Sequence, residues 1–510
     1  MITSQNHRFS RGGGNYLLGV AVATLFFVAT SFVAAYAYGP TTYTDDADGY
    51  RHFRLTPKTY QSEFLKDWGV KHVWMTGKDV FEFEESDDPY VGVFTHNLAY
   101  NASYVGVKQD GTPADSAKVV FVQAEGASGE IYCQNLTNLF ANITFSNVPL
   151  AVRTTASFII TNCVFTDTGI KQAIRAVDAN AQGFITAIDC RFKNIVNTKG
   201  AVNGARSFVA TNCVFSCITN TAGGMANGGV IQNVTNVTLS CCTFANCHLD
   251  GEYGGVIAMT KAGSVLNVDR CFFIDNDLYC NYGGRNPAGG GAIFVNDGTA
   301  TIRNCLFKGN KVSRSEIDTN GFGGGAIMLG EWKSYVDGAV IDNCTFIENV
   351  AEAGGTHNIK GSGAILVTQS NQIGITNCVF HANRGLTAAA SNLYLKDWTL
   401  VSNCLESNFE YGGTTYDFSM LDTGETPTTH IVDGVNGNKV GDYDPKFTDA
   451  ANGDYTLQKE SPCRDAGALL AWMTDGSLDL GGNARVFGNA PDMGCYEWFS
   501  TNAGLCIFIR

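Results

Sequence analysis

The chain has 510 residues, with 34 Lys and Arg against 48 Asp and Glu, a formal charge of −14. Hydrophobic residues make up 45%, which excludes disorder, and the acidic balance speaks against a nucleic-acid partner, whose phosphates demand a clustered basic face. Ten prolines exclude a collagen or a Pro-rich linker, and 17 cysteines are too sparse, and odd in number, for a small disulfide scaffold.

Arg8 and Arg11 precede an apolar run from Tyr16 to Ala35, and Ala35-Tyr36-Ala37 fits the small-x-small pattern of a cleavage site. The run is of spanning length, about 20 residues. Residues 1–37 therefore read as a signal peptide or as an uncleaved N-terminal anchor, and both place the rest of the chain outside the cytoplasm. Residues 38–130 mix strand-like runs with charged loops and read as a lead-in or cap.

From there the chain repeats. Cys-x-Phe recurs at Cys163, Cys190, Cys213, Cys242, Cys271, Cys305, Cys344 and Cys378; Cys404 continues the series without its Phe. Ile143/Phe145 begins it without the Cys, and the mean spacing is about 29 residues. An apolar residue stands three before each Cys, and Asn or Asp usually stands immediately before it, as at Asn162, Asp189 and Asn304. Asn and Asp tolerate left-handed dihedrals, so a turn is expected there. A Gly-rich strand start follows in each later coil, as in GGGAI at 289–293 and 323–327 and GSGAI at 361–365.

Three short strands per coil without helical periodicity predict an all-β, right-handed single-stranded parallel β-helix of about ten coils over residues 131–410. A β-propeller would want four strands per blade of about 40–45 residues. At one inward coil position, the ladder cysteines are expected to pack as buried free thiols. Cys217, Cys241, Cys247 and Cys280 lie off that ladder and could pair locally.

GGA[ILV] paired with F-x-x-N, here at Phe273–Asn276, Phe307–Asn310, Phe346–Asn349 and Phe380–Asn383, resembles the repeat of the polymorphic outer-membrane proteins. The resemblance implies a surface-exposed, often adhesive, β-helical passenger. Residues 441–498, with GDYTLQKESPCRDAG and DLGGNARVFGNAPDMGCYEW, resemble the choice-of-anchor C-terminal domain of bacterial secreted β-helix proteins. That resemblance implies a domain over 411–498 capping the open end of the solenoid, followed by a tail at 499–510. Where the resemblance expects Ala, this sequence has Cys463 and Cys495, which read as a disulfide pair in an oxidising compartment.

The solenoid is also similar to the pectin-lyase-like fold, which implies a polysaccharide lyase or glycoside hydrolase as the alternative function. Hydrolysis needs carboxylates converging on one face. Asp189, Asp269 and Asp342 lie in non-neighbouring coils, and His248, His357 and His381 occupy different coil positions and read as exposed turn residues, so no catalytic set is assigned. Binding is the favoured reading. The stretches 277–288, 311–322 and 350–360 recur at one coil position and are expected to project as stacked loops. Tyr279, Tyr282, Arg285, Arg314, Phe322 and Trp332 bring aromatic rings and guanidinium groups to them, suited to an extracellular polysaccharide or a surface protein. No cofactor or metal is expected beyond a possible Ca²⁺ ion in the Asp/Asn-rich 433–444. The expected product is a monomeric, secreted or envelope-bound protein.

Overall fold

The computed structural model describes residues 43–499, apart from 61–77, 93–96, 99–100, 135–136, 154–155, 168–171, 177–182, 222–226, 252, 281–288, 315–322, 331–335, 354–360, 387–390, 397–398, 412–413, 417–419, 423–427 and 430. The signal or anchor segment and the tail after residue 499 lie outside that set.

The backbone before each Cys is left-handed, as expected. Asn142, Asn162, Asp189, Asn212, Cys241, Arg270, Asn304, Asn343, Asn377 and Asn403 all have φ between 48° and 58°. Four residues after the Cys position a second left-handed residue recurs, at Asn147, Asp167, Asn194, Cys217, Asn246, Asp275, Gly309, Glu348 and Ala382. Two such corners per coil turn the chain without a long loop, and the strands between them pair in parallel. Phe145 faces Phe165, then Phe192, Phe215, Phe244, Phe273, Phe307, Phe346 and Phe380 in unbroken register. The result is the expected right-handed parallel β-helix.

The same register stacks the aromatic rings. From Phe145 to Phe380 successive centroids lie 4.5–5.1 Å apart with planes within 13° of parallel. Each contact is worth about 0.5–1.5 kcal/mol beyond its burial. Beside them the nine ladder cysteines are buried free thiols. Cys242 N–H, for example, points at Cys271 Sγ at 3.3 Å. Burial pushes the thiols of Cys190, Cys271, Cys344 and Cys404 well up, so they remain protonated. Cys217, Cys241 and Cys247 are free thiols too.

A third ladder is polar. Asn276, Asn310, Asn349 and Asn383, the last residues of F-x-x-N, are fully buried. Each Nδ2 donates to a backbone carbonyl of the preceding coil, and also to the next Asn: 276 to 310, 310 to 349 and 349 to 383, all at 2.9 Å. Burying an amide without partners is costly, so this ladder is stable as a set.

The solenoid is longer than its sequence signature. The Cys-x-Phe sheet has 13 strands, three of them, Tyr90–Gly92, Val120–Gln123 and Lys439–Gly441, outside the repeat motif. Arg51–Leu55, Asp79–Glu84 and Ala102–Val107 stack in parallel on the strand Thr137–Ala141. The segment expected as a separate lead-in therefore contributes coils, in which Phe121 and Tyr90 continue the ring ladder below Phe145 and Phe81, Phe83 and Tyr104 are buried on the neighbouring sheet. Among the described residues no helix is long and apolar enough to cross a membrane.

The C-terminal region holds a larger correction. Residues 443–498 do not cover the end of the solenoid; they lie along its side, against the outer face of the Cys-x-Phe sheet. Leu306 and Ile347 pack under Tyr455, Leu480 and Cys495, and Val379 and Leu405 pack under Leu457, Cys463 and Met493. Cys495 N–H donates to Thr345 Oγ1 at 3.0 Å, and Asn343 Nδ2 donates to the Asp492 carbonyl at 3.0 Å. This side clasp also separates Cys463 from Cys495. They are free thiols in different apolar clusters over different coils, so the expected disulfide is absent.

Candidate functional site

The stretches expected to project from one side begin as strands. Asp277–Cys280, Lys311–Arg314 and Val350–Ala353 pair in parallel as the last members of a six-stranded sheet. The chain re-enters the solenoid at Gly289–Gly290, Gly323–Gly324 and Gly361–Ser362, which are themselves paired. The insertions proper are therefore 281–288, 315–322 and 354–360, with exits and returns in register. A Cβ on Gly323 would stand 2.1 Å from the Gly289 carbonyl oxygen, so glycine is required at that return.

Alternation along these strands decides which side chains reach the surface. Leu249, Leu278, Val312 and Ala351 point inward, while two outward rows run across the coils. One contains His248, Asp277, Lys311 and Val350; the other contains Asp250, Tyr279, Ser313 and Glu352. Polar and charged neighbours pair along and across the rows. His248 Nδ1 is 2.6 Å from Asp277 Oδ2, Lys311 Nζ is 2.6 Å from Glu352 Oε2, and Arg384 NH2 is 2.5 Å from Glu352 Oε1. The hydrogen bond from Lys311 leads in holding the Glu352 carboxyl below its ordinary range. Burial pushes the Asp250 carboxyl up. The outcome is a polar shelf of both charges, with one phenol, on the strands from which the chain leaves for 281–288, 315–322 and 354–360.

Of the residues expected at this surface, Tyr279 is on the shelf and half-buried. Arg314 is not: it falls on the inward phase of its strand, opposite Cys280 and Ala353, and is buried. Tyr282, Arg285, Phe322 and Trp332, like His357, lie outside the described residues. The shelf residues that sequence reasoning missed are His248, Lys311, Glu352 and Arg384. Their signal was the shared offset of four to six residues after each Cys-x-Phe strand.

The carboxylates with the most perturbed titration are elsewhere. Asp269 and Asp342 occupy the same outward row two coils apart, with Arg303 between them. Burial pushes Asp342 up to about 6, in the range of a general acid. Its Oδ2, however, accepts from Arg303 Nε at 3.3 Å and from Trp472 Nε1 at 2.9 Å, and the side clasp closes over it. Within the clasp, Arg485 is fully buried and pairs with Glu497, whose carboxyl burial raises to about 7; burial also raises Asp492, to about 6. Asp492 accepts the N–H groups of Asp465 and Trp498. These acids hold the clasp together.

In 433–444, Asp433 accepts from Val440 N and Tyr443 Oη, and Asp442 from Asn408 Nδ2, so these carboxylates serve turns. Among the described residues no three His, Cys, Asp or Glu side chains converge as metal ligands. His381, expected at an exposed turn, instead lies in the strand Val379–His381 and is covered in part by the clasp.

The architecture and its side clasp place the chain among parallel β-helix proteins. No family model and no curated protein matches it. Among solved structures it is similar to the pectate lyase Pel9A, at 12% identity and a TM-score of 0.29, over 88% of this chain and 96% of that one.

Proposed function

We propose that the chain is a secreted or cell-envelope surface protein that binds an extracellular polysaccharide or a surface protein through the insertion side of its solenoid, without catalysing a reaction. The observation that carries this reading is the register of the exit and return strands flanking three successive insertions, with His248, Asp277, Tyr279, Lys311, Glu352 and Arg384 as a polar shelf at the exits. A rigid scaffold presenting stacked loops is a common way to build a binding surface. Mixed charge and an aromatic ring suit a polar, hydroxylated polymer better than an apolar one. The apolar run Tyr16–Ala35 supports export, and the repeat's resemblance to surface passengers agrees with it.

The test is retention of the exported protein on immobilised polysaccharides and on cells. Trimming 281–288 and 315–322 should abolish retention while leaving the far-ultraviolet β spectrum unchanged. Clear depolymerisation of a pectate or other glycan panel, lost on replacing one loop carboxylate, would overturn the reading in favour of a carbohydrate-active enzyme.

A further inference from the structure

Where the clasp meets the solenoid, it leaves a cavity of about 320 Å³ on the Cys-x-Phe sheet, away from the insertions. His381 comes from the solenoid; Asp444, Lys446, Phe447, Gln458 and Glu460 come from the clasp. This volume is at the small end of ligand pockets. Neither wall forms it alone: His381 of the solenoid and Phe447 of the clasp, with ring centroids 6.0 Å apart and planes 76° from parallel, both line it.

His381 is anchored on its solenoid side. Its Nδ1 lies 2.5 Å from Ser407 Oγ, and that hydroxyl donates to the Phe380 carbonyl at 3.4 Å. In the tautomer whose Nδ1–H donates to Oγ, Nε2 is the ring's acceptor, and that is the form the cavity would use. Burial pushes the imidazole pKa down despite Asp444 and Glu348 nearby, which favours this neutral form. The rim adds the carboxylates of Asp444 and Glu460 and the side-chain carbonyl of Gln458, whose amide donates to the Phe447 carbonyl at 2.8 Å. One ammonium, Lys446, stands among them. Acceptors therefore outnumber donors around an aromatic floor.

We infer that this cavity binds one neutral sugar residue, with its hydroxyls donating to Glu460, Asp444 and His381 Nε2 and its C–H face on Phe447. A ligand rich in hydroxyl donors with one apolar face matches the lining. Two carboxylates against one ammonium, on a chain of charge −14, disfavour a uronate. The site goes beyond the insertion-side reading and stands independently of it.

The experiment titrates the full exported chain with glucose, galactose, mannose, N-acetylglucosamine and galacturonate, following the His381 imidazole signals by NMR. Expected is saturable binding of at least one neutral sugar with Kd of about 10 mM or tighter, a shift in the His381 Nε2 resonance, and at least ten-fold weaker binding of galacturonate. Glu460→Ala changes an exposed residue and should weaken binding about ten-fold without altering the fold. Trimming the insertions should leave it intact, so this site and the insertion-side function fail separately. Binding of no neutral sugar, equal binding of galacturonate, or binding indifferent to Glu460→Ala would each overturn the inference.

Discussion

Asn310→Ala is the sharpest test of how the solenoid supports its shelf. Asn310 is fully buried and immediately precedes Lys311. Its Nδ2 donates to the Phe273 carbonyl and to Asn349 Oδ1, both at 2.9 Å, and its Oδ1 accepts from Asn276 Nδ2 at 2.9 Å. Three side-chain hydrogen bonds at about 1 kcal/mol each give a loss of about 3 kcal/mol. The backbone N–H of Asn310 keeps its own bond to Asn349 Oδ1. Denaturant unfolding followed by tryptophan fluorescence should show the midpoint shift. Hydrogen exchange should show faster opening of the Lys311 amide, which donates to the Asn276 carbonyl at 2.8 Å. Upstream coils carry Ile195 and Ile218 at the same position, where no asparagine waits next door, and Cys247, which meets Asn276 Oδ1 only through its backbone N–H at 3.1 Å. A cost below about 0.5 kcal/mol for Asn310→Ala would refute the idea that the ladder is cooperative.

Leu306→Glu should detach the clasp, since it puts a charge beneath Tyr455, Leu480 and Cys495; limited proteolysis should cut within 443–498 while the solenoid spectrum persists. Docking should also respond to pH. Burial raises Asp342 and Asp492 to about 6 and Glu497 to about 7, so the docked clasp holds protons that the released one gives up. The contribution of these groups is full below the ordinary carboxylate range and is lost as pH rises through 6 to 7, and Asp342→Asn should flatten the profile of amide exchange against pH. Glu348→Asn should stabilise by about 1 kcal/mol in thermal unfolding, because Glu348 sits at φ 55°, which Asn tolerates better. In thiol labelling of the native protein, Cys217→Ser should remove one fast-reacting group, whereas Cys305→Ser should remove none, because Cys217 is exposed and Cys305 buried.

The solenoid was legible because its rules are local. An Asn before the Cys, a Cys and Phe two apart, and a glycine return each answer to the backbone of one coil, and the register then repeats them. The first coils escaped because Tyr90 and Phe121 continue the ring ladder without a Cys two residues before them to mark the turn, while Phe53, Phe81 and Tyr104 stack in register on the neighbouring sheet. Arg314 was misplaced because the loop stretches were taken to fill everything between F-x-x-N and the glycine return: a strand begins at Lys311, so a residue assigned to the loop fell on the inward phase. The shelf needed the register itself, since Lys311 and Glu352 meet only when their coils stack.

The side clasp was written in a position that a repeat motif leaves blank. The middle residue of Cys-x-Phe faces out, and upstream it is Val164, Arg191, Val214 and Thr243. From the next coil onward it becomes Phe272, Leu306, Thr345, Val379 and Leu405, a stripe that solvent would not favour. A terminal cap needs no such stripe, because it covers the lumen and not a flank. The change at residue 272 therefore marks both the existence of a lateral partner and the coil where its cover begins. It also accounts for the near-neutral carboxylates. Burial beneath the clasp pushes the Asp342 carboxyl up although Arg303 and the Trp472 hydrogen bond pull it down, so a perturbed pKa on this fold reports docking before it reports catalysis. The cavity at His381 arises from the same event, since the clasp supplies the acids and the aromatic floor while the solenoid supplies the imidazole.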